Sequence, residues 1–238
     1  MFITTSCSTR AINTDYCSNA LNEASTLRNL VVKQKVECKK INKKQFQAMM
    51  SDTAPSSEIL EKEEIAYKMT GFIPEDYDYS ECFVNDSSQA ISATYIPSDK
   101  KIYLPEHYQE DVLVHEAVHA LQDQHFNLED LSKKTSISTD AYLTFSAIAE
   151  GDAELVQRKY LKARKLKRKN LESKNSKNKK KNSKCVTPQS ILFQLDFPYF
   201  WGARYLSHKQ EIKKDISKEF LNYPKSVSYT HLTLPTKA

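Results

Sequence analysis

The chain has 238 residues, of which 39% are hydrophobic, 27% are charged and only three are glycine. This length predicts one domain with a single core, and the composition excludes collagen-like and wholly disordered proteins. The sequence contains no run of about 18 consecutive apolar residues, which excludes a membrane-spanning helix.

The net charge of +5 is concentrated in one segment. Residues 162–184 contain 12 Lys or Arg residues and one acidic residue, a charge of +11, so the rest of the chain carries −6. A run of Lys, Asn and Ser cannot bury enough apolar surface to fold. We therefore predict a disordered insertion at about 165–184, helical only at its start. Contact with a polyanion is a second interpretation of this segment, but no specific nucleic acid is indicated.

Both ends of the chain are predicted to lie outside the fold. Residues 1–25 are expected to form a tail, and its beginning resembles the end of a lipoprotein signal peptide, with Cys7 as the lipidated residue. This predicts an extracytoplasmic protein, periplasmic or anchored to the membrane through Cys7, and a cytoplasmic protein if Met1 is the true start. Residues 226–238 match a translated sequencing adaptor, so we expect them to be non-native and the natural chain to continue.

Four further cysteines are available for disulfides: Cys17, Cys38, Cys82 and Cys185. In an oxidising compartment they predict two bridges with three possible pairings. Four free thiols in the cytosol are equally compatible with the sequence.

The first half of the interior predicts one strand and two helices. Val31–Cys38 is the strand candidate, and Asn42 is a suitable N-cap for a short helix that ends at Met50. Apolar residues recur at helical spacing from Ser57, the predicted cap, to Met69. Gly71 follows as a helix stop.

The second half predicts a hairpin followed by helices. Two β-prone runs, Ile91–Tyr95 and Lys101–Leu104, flank a Pro-Ser-Asp-Lys turn and indicate an antiparallel hairpin. Asp111–Gln124 is apolar on almost every side, as expected of a buried helix. A further helix is predicted to start at Ser138 or Thr139 and to pass Leu155, and the aromatic segment Ile191–Leu206 is expected to pack against the core.

The central helix contains an HExxH motif, His115-Glu116-Ala117-Val118-His119. Side chains four residues apart share one face of a helix, so both imidazoles project in the same direction. Two imidazoles suit Zn²⁺ and leave positions for a third ligand and a water, while Glu116 is placed to act as a general base. The alternative to a metal site is a pair of core histidines that are satisfied by hydrogen bonds. This alternative does not easily explain why three polar groups, each of which is costly to bury, lie in one apolar helix.

The third metal ligand has two candidates. His125 follows His119 by six residues, the spacing of the HExxHxxGxxH pattern, but Gln122 occupies the position of the glycine. If the helix continues, His125 points away from the site. Glu150, on the following helix, is the preferred candidate, and Gly151 beside it is predicted to allow close approach to the HExxH helix.

Two acidic residues near Glu150 are candidates for supporting the metal ligands. Metal-bound histidines usually donate their second N–H group to a carboxylate. Glu154 lies one helical turn after Glu150 and on the same face, whereas Asp152 points elsewhere and is expected to bond the backbone or the hairpin. Both are predicted as residues of the second coordination shell.

These motifs together resemble a group of mostly uncharacterised prokaryotic proteins that have gluzincin-type HExxH zinc metallopeptidase domains. The resemblance rests on Val114–Phe126, the preceding hairpin, Ala149–Ala153 and Phe197–Gly202, and it spans roughly 26–226. It implies an α+β, zincin-like domain over 26–225, interrupted by the Lys-rich insertion. In this fold a small antiparallel sheet packs on the HExxH helix and on a second helix with a metal ligand. His115, His119 and Glu150 are the implied zinc ligands.

The resemblance also implies an activity, the hydrolysis of peptide bonds by metal-activated water with Glu116 as general base. A peptide or protein substrate is expected to pair with the hairpin edge as an added strand. Tyr95, Tyr199 and Tyr205 are candidate oxyanion donors, which the sequence does not distinguish from packing aromatics. The alternative function is a zinc-stabilised surface or binding protein with an unproductive site.

Overall fold

The computed structural model describes residues 15–52, 56–82, 93–136, 138–165, 185–211 and 215–227. Within these ranges the helices are α1 (Tyr16–Arg28), α2 (Lys43–Asp52), α3 (Ser57–Met69), α4 (Glu110–Phe126), α5 (Leu128–Thr135), α6 (Thr139–Ala163), α7 (Gln189–Glu211) and α8 (Ser217–Leu221). The strands are β1 (Glu37–Lys40), β2 (Thr94–Ile96) and β3 (Lys101–Leu104). The protein is therefore rich in helix and carries a small sheet, consistent with the predicted α+β class.

The sheet is mixed, and its strand order is β1-β3-β2. The predicted hairpin is confirmed, because β2 pairs with β3 antiparallel and Tyr95 lies opposite Ile102. The expectation of a purely antiparallel sheet is wrong, because β1 pairs with β3 in parallel. The long connection through α2 and α3 provides the crossover that a parallel pair requires. The first strand also begins later than predicted, at Glu37, and Val31 is 69% exposed.

Helix α1 belongs to the main core, although residues 1–25 were expected to be a tail. The helix begins at Tyr16, and Cys17, Leu21 and Ala24 are buried against α4 and α6. Cys17 also forms a disulfide with Cys38 in β1. The folded region therefore starts well before residue 26. A short helix with small buried residues gives a weak periodic signal, which explains why the sequence pattern did not reveal it.

The other predicted helix ends agree closely with the structure. The side chain of Asn42 caps α2 by accepting a hydrogen bond of 2.9 Å from the backbone N–H of Gln45, and Ser138 caps α6. Helix α3 has the predicted bounds, with Ser56 rather than Ser57 at the N-cap position. The aromatic segment that was expected to pack on the core lies within a single long helix, α7.

Two smaller apolar clusters lie beside the main core. One joins α5, α6, α7 and α8. The other, which we name the α3 cluster, contains Leu60, Ile73, Tyr77, Tyr79, Cys82 and Ile191. A second disulfide, Cys82–Cys185, fastens this cluster to the residues before α7. The structure thus forms two bridges in one of the three pairings that the sequence left open.

Helices α6 and α7 cross at two glycines. A methyl group on Gly151 would overlap the backbone at Gly202, and a methyl group on Gly202 would overlap the backbone of Ala147. Gly151 was expected to allow approach to the HExxH helix, and this partner is wrong. Successive helical residues point about 100° apart, so Glu150 faces α4 while Gly151 faces α7.

Several predicted features fall outside the described residues. They are Cys7, the start of the first hairpin strand, nearly all of the Lys-rich insertion and residues 228–238. Among the residues that are described, no helix has the length and apolar character needed to cross a membrane.

Candidate metal centre

Helices α4 and α6 bring together the three predicted metal ligands. The Nε2 atoms of His115 and His119 lie 3.1 Å apart. Oε2 of Glu150 lies 3.1 Å from Nε2 of His115 and 3.3 Å from Nε2 of His119. The HExxH spacing places the two rings on adjacent turns of α4, and α6 supplies the carboxylate from the opposite side.

The dimensions of this cluster suit a metal ion. All three candidate ligand atoms lie within 4.8 Å of one another. In a tetrahedral site with metal–ligand bonds of about 2.0–2.1 Å, neighbouring ligand atoms lie about 3.3 Å apart. The observed separations of 3.1–3.3 Å match that edge. The cluster can therefore hold a metal ion.

A glutamine fixes the orientation of the His115 ring. Nδ1 of His115 lies 3.2 Å from Oε1 of Gln157, whose amide nitrogen donates to Oδ2 of Asp111 at 2.9 Å. Because Asp111 holds the amide nitrogen, the amide oxygen faces the ring and Nδ1 must carry the proton. Nε2 of His115 is then left with its lone pair directed into the cluster.

A second glutamine acts in the same way on His119. Nδ1 of His119 lies 3.0 Å from Oε1 of Gln122. The amide nitrogen of Gln122 donates to the carbonyl of Ala149 at 3.0 Å and to Oδ2 of Asp152 at 3.1 Å. Gln122 follows His119 by one helical turn, a spacing that could have identified it from the sequence. Gln157 carries no such local signal.

The predicted supporting carboxylates therefore do not contact the ring Nδ1 atoms. Asp152 is fully buried and pairs with Arg28 at 2.6 Å, so it reaches His119 only through Gln122. Glu154 is also buried, and it pairs with Arg158 at 2.8 Å. Each glutamine accepts a hydrogen bond from a histidine ring N–H and donates one to an aspartate. The buried negative charge of the aspartate therefore lies one residue further from the metal cluster than it would in a direct His–Asp contact.

The predicted general base lies between the cluster and the sheet. Oε2 of Glu116 accepts a hydrogen bond of 2.7 Å from the backbone N–H of Tyr95 in β2. Burial raises the pKa of Glu116, and the positive charge available on the two histidines only partly offsets this effect. The edge strand thus holds one oxygen of the carboxylate and leaves the group beside the three ligands.

The metal-free cluster retains a proton. Burial lowers the pKa of His119, but the adjacent Glu150 carboxylate outweighs burial and raises it to about 10. Burial likewise opposes ionisation of Glu150, and the histidines more than compensate, so its pKa lies below the usual value. A bound metal ion would take the place of this proton, since metal ligands must be deprotonated.

The three candidate tyrosines have different environments. The hydroxyl of Tyr95 donates to Asp123 at 2.7 Å, and that of Tyr205 donates to Glu219 at 2.6 Å, so both are committed to packing. Tyr199 lies in the cleft with its ring centroid 6.0 Å from that of His115. The charge of Glu150 and burial raise the pKa of Tyr199 well above its usual value, and a hydrogen bond from its hydroxyl to the Glu150 carboxylate adds to this effect, so the hydroxyl stays protonated.

His125, the alternative third ligand, lies outside the cluster. Helix α4 continues to Phe126, so the chain does not turn after His119. Nε2 of His125 lies 2.8 Å from the carbonyl oxygen of Val31. The structure brings Glu150, rather than His125, to the histidine pair.

The cluster opens into a cleft of about 270 Å³. Residues of β2 line the cleft together with Tyr142, Ser146 and Tyr199. Solvent and an extended ligand can therefore reach Glu116 and Glu150 together.

No protein-family model, curated protein or solved structure matches the chain. The interpretation of the centre therefore depends on its own geometry and chemistry.

Proposed function

We propose that the protein is a zinc-dependent peptidase of the gluzincin type with a zincin-like fold. The observation that carries this proposal is the position of Glu116, whose carboxylate is held by β2 beside the His115–His119–Glu150 cluster in an open cleft. A purely structural metal site needs four protein ligands and no acid beside it. Three ligands, an open position and a buried carboxylate are the parts of a hydrolytic site.

Zinc is the proposed metal because of the donor atoms. Two imidazole nitrogens and one carboxylate suit zinc, whereas Mg²⁺ and Ca²⁺ prefer oxygen ligands. Each glutamine accepts a hydrogen bond from Nδ1 of its histidine, so Nε2 is the nitrogen that faces the cluster and would bind a metal once the proton of the cluster has left.

The metal would supply a Lewis acid that activates water and polarises a carbonyl group. Glu116 accepts the proton of that water and returns it to the leaving amine. Burial raises the pKa of Glu116, which suits a group that must first accept a proton from water and then donate it to the amine. The Tyr95 amide restricts the carboxylate to an orientation facing the cleft.

Tyr199 and β2 are proposed to position the substrate. The protonated Tyr199 hydroxyl bonds the Glu150 carboxylate, and by turning from it the hydroxyl can donate a hydrogen bond to the oxygen that becomes negative during attack on the peptide carbonyl. Strand β2 is an edge of the three-stranded sheet and lines the cleft, so an extended peptide can pair with it. A peptide or protein substrate is therefore favoured over a small compact molecule.

The proposal is tested with the Glu116→Gln variant, which keeps the size of the side chain and loses the base. We expect it to bind zinc like wild type and to lose peptide hydrolysis by at least about 100-fold. Zinc is measured by elemental analysis after dialysis, and cleavage by mass spectrometry of a peptide library. The matched control is Glu106→Gln, an exposed acid on the loop before α4.

Equal activity of wild type and Glu116→Gln would overturn the peptidase proposal. If neither cleaves any peptide while both bind zinc, the zinc-stabilised binding protein is the better interpretation. Failure of the wild type to bind zinc or another transition metal would overturn both functions.

We further propose an oxidising, extracytoplasmic location, supported by the two disulfides Cys17–Cys38 and Cys82–Cys185. Anchoring through Cys7 remains a prediction from the sequence. Mass spectrometry of the protein from its native cells tests both points. Both bridges and a lipid on Cys7 are expected, and four free thiols would contradict the proposed location.

A further inference from the structure

A second, more apolar pocket of about 290 Å³ opens beside the metal cleft. Its walls are formed mainly by Tyr77, Tyr79, Leu143, Ile191, Leu195 and Pro198. We infer that this pocket receives a large apolar side chain of the substrate, from a residue next to the cleaved peptide bond. This inference rests on the proposed function and specifies the substrate class.

The pocket is continuous with the metal cleft. Tyr142, Ser146, Glu150 and Tyr199 line both cavities. The residues of β2 line the metal cleft but not the pocket, so the pocket lies on the Glu150 side of the centre. A peptide paired with β2 would therefore extend a side chain past the metal ligands and into the pocket.

The size and chemistry of the pocket indicate its occupant. Sites for small molecules usually measure about 300–1,000 Å³, so a cavity of about 290 Å³ suits one or two side chains rather than a cofactor. Four aliphatic or proline residues and two buried tyrosines provide mostly apolar walls. In the same wall, Oε1 of Gln194 is buried and has no hydrogen-bond partner among the described residues, which leaves one acceptor for a bound ligand.

The tyrosines of the pocket are held by the α3 cluster. Tyr77 and Tyr79 belong to this cluster, which the Cys82–Cys185 disulfide fastens ahead of α7. Gln194 donates to the Tyr67 hydroxyl at 3.1 Å, and Ser190 donates to the carbonyl of Phe72. These links give the pocket a preformed shape, as expected of a site that selects among side chains.

The inference is tested with blocked peptides that differ at one position, which carries Leu, Phe, Ala, Gly or Asp. We expect the wild type to cleave next to Leu and Phe with kcat/KM at least about 10-fold above that for Ala and Gly. Cleavage positions are determined by mass spectrometry.

Filling the pocket provides the decisive comparison. Leu195→Trp places a large ring in the pocket from a partly exposed position on α7, and Leu192→Trp, one turn earlier and 41% exposed, serves as the matched control. Leu195→Trp should lower kcat/KM for the Leu and Phe peptides to that for the Ala peptide, while the zinc content stays that of the wild type. Leu143→Trp fills the pocket from α6 and should have the same effect.

The outcomes separate this inference from the proposed function. Cleavage without a preference for Leu or Phe, or an equal preference in Leu195→Trp and Leu192→Trp, overturns the inference alone. If the wild type cleaves none of the peptides, their binding to zinc-loaded Glu116→Gln is measured by fluorescence anisotropy of labelled peptides. Selective binding of the Leu and Phe peptides would then overturn the proposed peptidase function but support the inferred side-chain pocket. Binding without this selectivity would overturn both proposals.

Discussion

The metal centre and the α3 cluster are stabilised in different ways. The centre lies between α4 and α6, and α6 in turn crosses α7 closely at Gly151 and Gly202. Buried hydrogen bonds run from its histidines through two glutamines to acids. The α3 cluster is a smaller apolar group, fastened by the Cys82–Cys185 disulfide and by side-chain contacts with the first turns of α7. The metal ligands are thus held by helix packing and hydrogen bonds, whereas a covalent bond contributes to holding the pocket wall.

This contrast indicates that metal binding and side-chain selection can be disturbed separately. Changes in the helix pair should affect both, because α6 carries Glu150 and also lines the pocket. Changes in the α3 cluster should affect selection alone. Zinc affinity is therefore measured in three of the four predictions that follow, and the free energy of unfolding in the other.

The largest effect is expected from Gly202→Ala. The new methyl group overlaps the backbone of Ala147 in α6, one turn before Glu150, and neither backbone can move without separating the helices. We expect a loss of about 3 kcal/mol or more in the free energy of unfolding, together with loss of zinc binding. Chemical denaturation measures stability, with the exposed Gln210→Ala on the same helix as control. Unchanged stability and zinc affinity would show that the helices do not cross at this point.

Asp152→Ala is expected to have the next largest effect. The substitution leaves Arg28 buried without its partner and removes an acceptor from Gln122. Breaking a buried pair in this way costs about 3–5 kcal/mol. Glu23→Ala breaks the more exposed pair with Arg164 and should cost less than about 1 kcal/mol. Similar losses from the two variants in denaturation experiments would contradict the buried pairing.

Replacing either glutamine with methionine should weaken zinc binding without unfolding the protein. Gln122→Met and Gln157→Met keep the side-chain volume but release the ring that each glutamine orients. We expect zinc affinity to fall about 10–100-fold, as measured by competition with a fluorescent chelator. Gln124→Met is the control, because its amide bonds the backbone near Lys33 rather than a histidine. A loss in the control equal to that in Gln122→Met would refute the orienting role.

The smallest effect on zinc is expected when the α3 cluster is released. Cys82→Ser/Cys185→Ser frees the segment that carries Tyr77 and Tyr79 while α4 and α6 remain packed. Zinc affinity should stay at the wild-type value, and the preference for Leu and Phe peptides should decrease. Cys17→Ser/Cys38→Ser removes the other bridge, far from the pocket, and should retain the preference. Loss of zinc in the first variant would contradict the separation of the two regions.

The sequence predicted what depends on local spacing. The HExxH pairing, the caps of α2 and α6 and the hairpin all follow from turns of one helix or from one tight turn. Glu150 is different, because it lies on another helix, 35 residues from His115, and was predicted from the ligand pattern of two-His-one-Glu zinc sites. Apart from the contact of Gln122 with His119, the contacts that support the ligands join residues far apart in the chain. Gln157 is 42 residues from His115, and Arg28 is 124 residues from Asp152. No periodicity encodes such distances.

The remaining errors have the same origin. Helix α1 and the parallel strand β1 are stable because they pack on or pair with elements much later in the chain, which short sequence patterns do not reveal. The sequence correctly predicted that Gly151 allows another helix to approach closely. It did not predict that this helix is α7, because that depends on which of two neighbouring helices faces the glycine.

The hydrogen bond from the Tyr95 amide to Glu116 has a consequence for mutagenesis. The donor belongs to the main chain, so every residue except proline at this position supplies it. Alanine scanning would report only the loss of the tyrosine hydroxyl and would overlook the restraint on the acid. Replacing the amide with an ester by chemical synthesis or nonsense suppression would remove that single donor while every side chain stays in place.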